Sequence, residues 1–243
     1  MNTLCYDLER FTRILEGETG IFKNGVGALY NVIGRLGGEG NSKFKYSIDD
    51  LEFFVGEAPS HTIPDGAGEI TVTLRMKFGS DQEKKAFEED FIEPFEFDII
   101  IKGLNKDAEW LISSWHLDKH IESEGACKYH HPKYHLTFGG KHMYDAYKDA
   151  YGSALIMPSP RISYPPMDVI LGVDFILRNF FDKKRLRNIV NNQEYLEIVK
   201  SSQDRYWSVY AKIFAGHWCG VTCETEVYSK KMKEVLFPVL QHN

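Results

Sequence analysis

Glu69–Phe78 reads EITVTLRMKF. Ile70, Val72, Leu74, Met76 and Phe78 fall on one side of a two-residue repeat, and Thr71, Thr73, Arg75 and Lys77 on the other. A period of two belongs to an extended strand, whose side chains alternate between faces. An apolar face backed by a polar one predicts a sheet packed on one side and wet on the other, as antiparallel sheets commonly are.

The pattern repeats on both sides of this stretch. From Lys43 onward, Phe44, Tyr46 and Ile48 alternate with polar residues, and PFEFDIIIKG (94–103) turns Phe95, Phe97, Ile99 and Ile101 inward. Residues 108–118 (AEWLISSWHLD) continue the series, and Tyr134–Phe138 adds a strand that stops at Gly139-Gly140. Short polar connections between such segments predict an antiparallel meander. The charged connection SDQEKKAFEEDF (80–91) reads as a short helix or an exposed turn.

The two ends of the chain change period. Leu4, Leu8, Phe11 and Leu15 recur at helical spacing over 3–16, with Asn2 or Thr3 to cap and Gly17 to stop the helix. A second helix is expected over 26–36, weakened by Gly27 and Gly34. In RISYPPMDVILGVDFILRNFF (161–181), Pro165-Pro166 marks a helix start and Asp168 suits its first turn. Met167 to Phe181 is apolar nearly all round, which predicts a helix buried against the sheet. Two more helices are expected, over 191–202 and 203–217. The fold class is α+β in one domain over 1–243: a helical start over 1–40, mainly β over 43–160 and mainly α over 165–240.

A net charge of −6 and a pI near 5.9 argue against a broad nucleic-acid or anionic-membrane surface. MNTLCYDLERF carries Asp7, Glu9 and Arg10 and lacks the apolar run of a signal peptide. The longest uncharged runs fall well short of a bilayer span. Four cysteines at irregular spacing predict free thiols. A soluble, cytoplasmic protein is the expectation.

Chemistry concentrates between Trp115 and His142. His116, His120, His130, His131, His135 and His142 fall there, with Asp118 and Cys127 among them. On a strand, His116, Asp118 and His120 project from one face. Two imidazoles and a carboxylate suit a divalent Zn, Mn or Fe with positions left open for water. His131 and His135 can add ligands from a neighbouring strand, and a metal-bound water can attack a phosphoryl or acyl group. The alternative stays open that these histidines satisfy hydrogen bonds at sheet edges and stack on Trp115, Tyr129 and Tyr134. Their spacing matches neither a metalloprotease helix nor a zinc finger.

Lesser signals surround the cluster. His135-Leu136-Thr137 has the shape of one half of a two-histidine phosphoesterase signature, whose second half the sequence lacks. His217, Cys219 and Cys223 form a weaker alternative metal set, the thiols otherwise reading as buried at a helix end. Cys127, beside Lys128 and His130, has the setting of a low-pKa nucleophile but no placed base. Gly139-Gly140-Lys141 lacks the rest of a phosphate loop and reads as a sharp turn.

HPKYHLTFGG (131–140), followed by PRISYPPMDVILGVDFILRNFF (160–181) and preceded by Trp115-His116-Leu117-Asp118, resembles an uncharacterised family of bacterial proteins. Those proteins share a similar HP-x-YH…GG strand and a proline-led apolar helix. The resemblance spans residues 115–181 and implies a bacterial origin and, from the company such proteins keep, a place in an anti-phage or mobile-element operon. It implies no catalytic residue.

Two functions follow as expectations. The first is a module that binds a protein partner or ligand within a larger assembly, in keeping with the abundant aromatics and the acidic balance. The second is a metal-dependent hydrolase acting on a phosphodiester or nucleotide. There His116, Asp118, His131 and His135 would be ligands and Arg161 would clamp a phosphate.

Overall fold

Seven strands follow one another in chain order across a single antiparallel sheet. The computed structural model describes residues 3–38, 42–59, 62–81, 83, 90–119, 132–147 and 162–219, with side chains omitted at 213, 214 and 216–219. The strands are β1 (Phe22–Asn24), β2 (Lys43–Gly56), β3 (Gly68–Asp81), β4 (Ile92–Leu104), β5 (Trp110–Lys119), β6 (Tyr134–Phe138) and β7 (Ile162–Ser163). Helices α1 (Thr3–Glu16) and α2 (Val26–Gly38) precede β2, and α3 (Lys141–Tyr147) follows β6. Helices α4 (Val169–Phe180), α5 (Arg187–Val190) and α6 (Gln193–Cys219) close the described chain. The meander of an α+β fold is therefore present.

The period-two apolar residues become the core face. Leu74 lies opposite Ile99, Met76 opposite Phe97 and Phe78 opposite Phe95, all buried. Leu117 and Leu136 extend the same layer through β5 and β6. α4 crosses this face, and Gly172 is what lets it come close. A Cβ on Gly172 would stand 2.6 Å from the Phe97 ring and 3.5 Å from Leu74. The single core cluster also takes in Leu4, Leu8, Phe11 and Leu15 of α1, the residues whose spacing predicts that helix.

Four expectations need correction. Asp168 is the N-cap of α4 and not a residue of its first turn: its side chain accepts from Leu171 N at 3.0 Å. Helices expected over 191–202 and 203–217 are one continuous α6, preceded by the single turn of α5. Ser201-Ser202 looks like a break in sequence, but both hydroxyls are spent on tertiary bonds, Ser202 Oγ to Asp168 (2.6 Å) and Ser201 Oγ to Asp7 (2.8 Å). The far side of the sheet is only partly wet, because Thr71, Thr73, Ile100 and Ser114 are buried there. α3 sits against β5 on that side, tied by Ser114 Oγ to Gly139 O and by the Tyr147 hydroxyl to the Ile112 backbone. Finally, α4 is not buried all round, since Phe175 is half-buried and Arg178 and Asn179 are exposed.

α1, α4 and α6 meet at a buried polar junction. Arg205 donates from Nη1 to Asp7 at 2.6 Å and to Ser201 at 2.9 Å, and its Nη2 lies 4.0 Å from Asp168. Burial pushes the Asp168 carboxyl above its ordinary range, against the pull of Arg205, the α4 backbone amides and Ser202. The Tyr46 hydroxyl accepts from Val169 N, so β2 joins the same junction.

Candidate functional site

Alternation along β5 sends Leu117 into the core and His116 and Asp118 to the other face. Register then decides what they meet. Asp98 of β4 is the cross-strand partner of His116, His135 of β6 is the partner of Asp118, and Thr137 is the partner of His116. Asp118 Oδ2 lies 3.5 Å from His116 Nε2 and 3.9 Å from His135 Nε2. From α3, His142 Nε2 reaches to 3.9 Å from Asp98. The result is an alternating row, His142, Asp98, His116, Asp118, His135, laid across β4, β5 and β6 beside α3.

Two backbone features hold the imidazoles in place. The Pro132 carbonyl, 3.0 Å from His135 Nδ1, can only accept, so Nδ1 carries a proton and Nε2 is the atom turned to Asp118. The His116 ring lies against Gly140, where a Cβ would stand 2.4 Å from Cε1. Gly140 also has φ +83°, a conformation that glycine adopts at no cost. The Gly139-Gly140 turn thus does more than end β6, because it makes room for an imidazole. His135 is almost fully buried, whereas the Asp118 side chain is 48% exposed. Thr137 Oγ1, on the same face, is buried with no hydrogen-bond partner.

Three of the expected site residues, His116, Asp118 and His135, are therefore gathered around one carboxylate oxygen. His120, His131 and Arg161 lie outside the described residues, as do Cys127 and Cys223. His217 and Cys219 fall at the end of α6, where side chains are not described. Among the described residues, no group of three or more His, Cys, Asp or Glu is arranged to hold a metal ion. Tetrahedral zinc with bonds of ~2.0–2.1 Å wants donors about 3.4 Å apart. The His116–Asp118 spacing meets that and the His135–Asp118 spacing exceeds it. Asp98 carries no local sequence signal, and His142 is marked only as the last histidine of the dense stretch. Asp98 enters the row only through the β4–β5 register, and His142 only through a helix that the sequence pattern does not mark.

A second charged centre lies at the same end of β5 and β6. Lys119 and Lys133 bring their amines to 3.1 and 2.9 Å from Asp90, whose carboxylate also accepts from the Tyr134 hydroxyl. Burial alone would raise the Asp90 carboxyl, but Lys133 and Lys119 outweigh it and hold the group below its ordinary range. Burial and the Asp90 charge push the Tyr134 hydroxyl well above its own. This centre pins β6 to β5 and to the chain entering β4.

No family model matches the chain, and no curated protein or solved structure matches it. Among the described residues, no helix is long and apolar enough to cross a membrane.

Proposed function

We propose that the protein is a binding module and that the side of β4–β6 carrying Asp98, His116, Asp118 and His135 is the surface it offers. The observation supporting this is the His–Asp row itself. It draws five ionisable side chains from three strands and a helix, and fixes two of the rings by the Pro132 carbonyl and Gly140. A site held in advance loses little side-chain entropy when it is occupied. The row carries the carboxylates of Asp98 and Asp118, and the Asp118 side chain is 48% exposed. It therefore suits a partner or ligand that brings cations or hydrogen-bond donors, within a larger bacterial assembly.

The test compares partners retained by the immobilised wild-type chain, by Asp118→Asn/His116→Gln, and by Lys183→Gln, an exposed position between α4 and α5 and outside this face. A partner kept by wild type and by Lys183→Gln but lost by the Asp118 variant supports the reading. One kept by all three refutes it.

A second reading, metal-dependent hydrolysis of a phosphodiester or nucleotide, is favoured by one specific feature. Two imidazole Nε2 atoms approach the same Asp118 oxygen. Of the two spacings to that oxygen, the 3.5 Å one to His116 already suits zinc, and the 3.9 Å one to His135 would have to close by about half an ångström. A bound ion would supply an activated water, and His116, Asp118 and His135 would hold it. Turnover of bis(4-nitrophenyl) phosphate with added Zn or Mn, lost in His116→Ala and His135→Ala, would favour this reading over the first. No metal uptake and no turnover would exclude it.

A further inference from the structure

α4 and α6 leave between them an open groove of about 550 Å³, apart from the β4–β6 face. That volume falls within the range of small-ligand sites, roughly 300–1,000 Å³. Its floor is core: Met167, Leu171 and Val199 are buried. Its walls are not, because Tyr164, Phe175 and Trp207 are all half-buried. The Tyr164 ring stands edge-on to both others, 6.0 Å from Phe175 at 84° and 6.2 Å from Trp207 at 88°. Trp207 donates its Nε1 to Pro166 O at 2.8 Å, which fixes the indole and leaves only its ring to offer.

Two cations and one carboxylate line the rim. Arg178 and Lys200 line the groove against one carboxylate, Asp174. Asp174 is already engaged by the Tyr195 hydroxyl (2.7 Å) and by Arg178 Nε (2.7 Å). Arg178 thus keeps its terminal nitrogens for another acceptor. The Lys200–Asp204 pair is exposed on both sides and holds the amine weakly. In a chain of net charge −6, two exposed cations therefore stand over an aromatic wall.

We propose that the groove binds a small planar aromatic anion, its ring packed on Phe175 and Trp207 and its charged group met by Arg178 and Lys200. Ring-to-ring packing and a charge-assisted hydrogen bond from Arg178 favour such a ligand over a neutral or saturated one. The test is calorimetric titration of the full chain with three probes: 2-naphthoate, the neutral 2-naphthamide and the saturated cyclohexanecarboxylate. We expect one saturable site for 2-naphthoate, with each of the other probes at least ten-fold weaker. Arg178→Gln/Lys200→Gln, both exposed positions, should abolish the preference for naphthoate over naphthamide. Phe175→Ala should lose binding, and Phe175→Leu, which keeps apolar bulk in case the Ala variant fails to fold, should weaken it at least ten-fold. Equal affinity for the three probes, no saturation, or naphthoate binding untouched by these variants would overturn the proposal.

Discussion

Asp168→Ala should be among the most damaging single substitutions in the chain, although Asp168 touches nothing outside the fold. Its carboxylate caps α4 through Leu171 N and accepts the Ser202 hydroxyl, with the buried Arg205 guanidinium at 4.0 Å. Losing an N-cap costs about 1 kcal/mol, and losing a bond to a charged acceptor about 1.5–3 kcal/mol. Removing one member of a buried charged group costs about 3–5 kcal/mol in all, although Arg205 keeps Asp7 and Ser201. These terms overlap, so the expected loss is about 4 kcal/mol, a large part of the ~5–15 kcal/mol that holds a domain together. Asp168→Asn should cost only about 1 kcal/mol. It keeps an oxygen for Leu171 N, and burial already disfavours the charge, as the raised carboxyl shows. Asp168→Ala/Arg205→Met should be less destabilised than the two single variants summed, because the Arg205–Asp168 attraction is lost in both single variants and counted twice in their sum. Urea melts at pH 7 with matched m-values measure the wild type and the four variants, Arg205→Met included. A loss below about 1 kcal/mol for Asp168→Ala, or strict additivity in the double variant, would show that the junction is not a coupled unit.

Asp90 should contribute to the loss of stability in acid. Its folded-state pKa lies below the ordinary 3.8, so its stabilising contribution is present above that value and lost as pH falls below it through the folded pKa. Asp90→Asn should flatten that acid limb in pH-resolved melts and cost about 3 kcal/mol at pH 7, with Lys119 and Lys133 left facing each other. An acid limb unchanged by the substitution would assign it to other carboxylates. Gly140→Ala should cost about 1–2 kcal/mol from the positive φ and the clash with His116, and should shift the His116 imidazole resonances in NMR; an unshifted ring would mean that Gly140 does not position it. If the His116–Asp118–His135 group binds metal, Zn or Mn at a hundred times its Kd should raise stability by about 2.7 kcal/mol. His116→Ala and His135→Ala should each remove most of that gain, whereas equal melts with metal and chelator would leave the histidines as contact residues.

Much of the sheet is legible in sequence because burial on one face writes itself as period two. β3, β4 and β6 carry that signature cleanly, and Tyr134–Phe138 appears with the bounds expected of it. β1, α3 and β7 are too short for any period to show. Thr71 and Thr73 look like wet-face residues by type, yet they are buried, since what covers a sheet is a tertiary matter. The continuous α6 is hidden for the same reason. Its serines and Asp204 imitate a helix break, while the tertiary partners Asp7 and Asp168 occupy the serines. Asp168 is readable as a helix-start residue, but its second role as a joint between helices is not.

The site was legible as a density of imidazole and not as a geometry, and register explains the difference. His116 and Asp118 share a face by alternation alone, so that pair can be read from the chain. His135 joins them only because Asp118 stands opposite it, and a slip of one residue would turn the whole β6 set to the opposite face. That register is held from the other side of the sheet. Leu117 lies against Leu136 in the core, Trp115 packs edge-on to Phe138 at 5.0 Å, and Lys119 and Tyr134 share Asp90. The residues that align the row are therefore the apolar and buried ones between its members, and they do no chemistry themselves. Weakening the Asp90 centre should accordingly disturb the His135–Asp118 spacing before it disturbs the His116–Asp118 spacing, which depends on one strand alone.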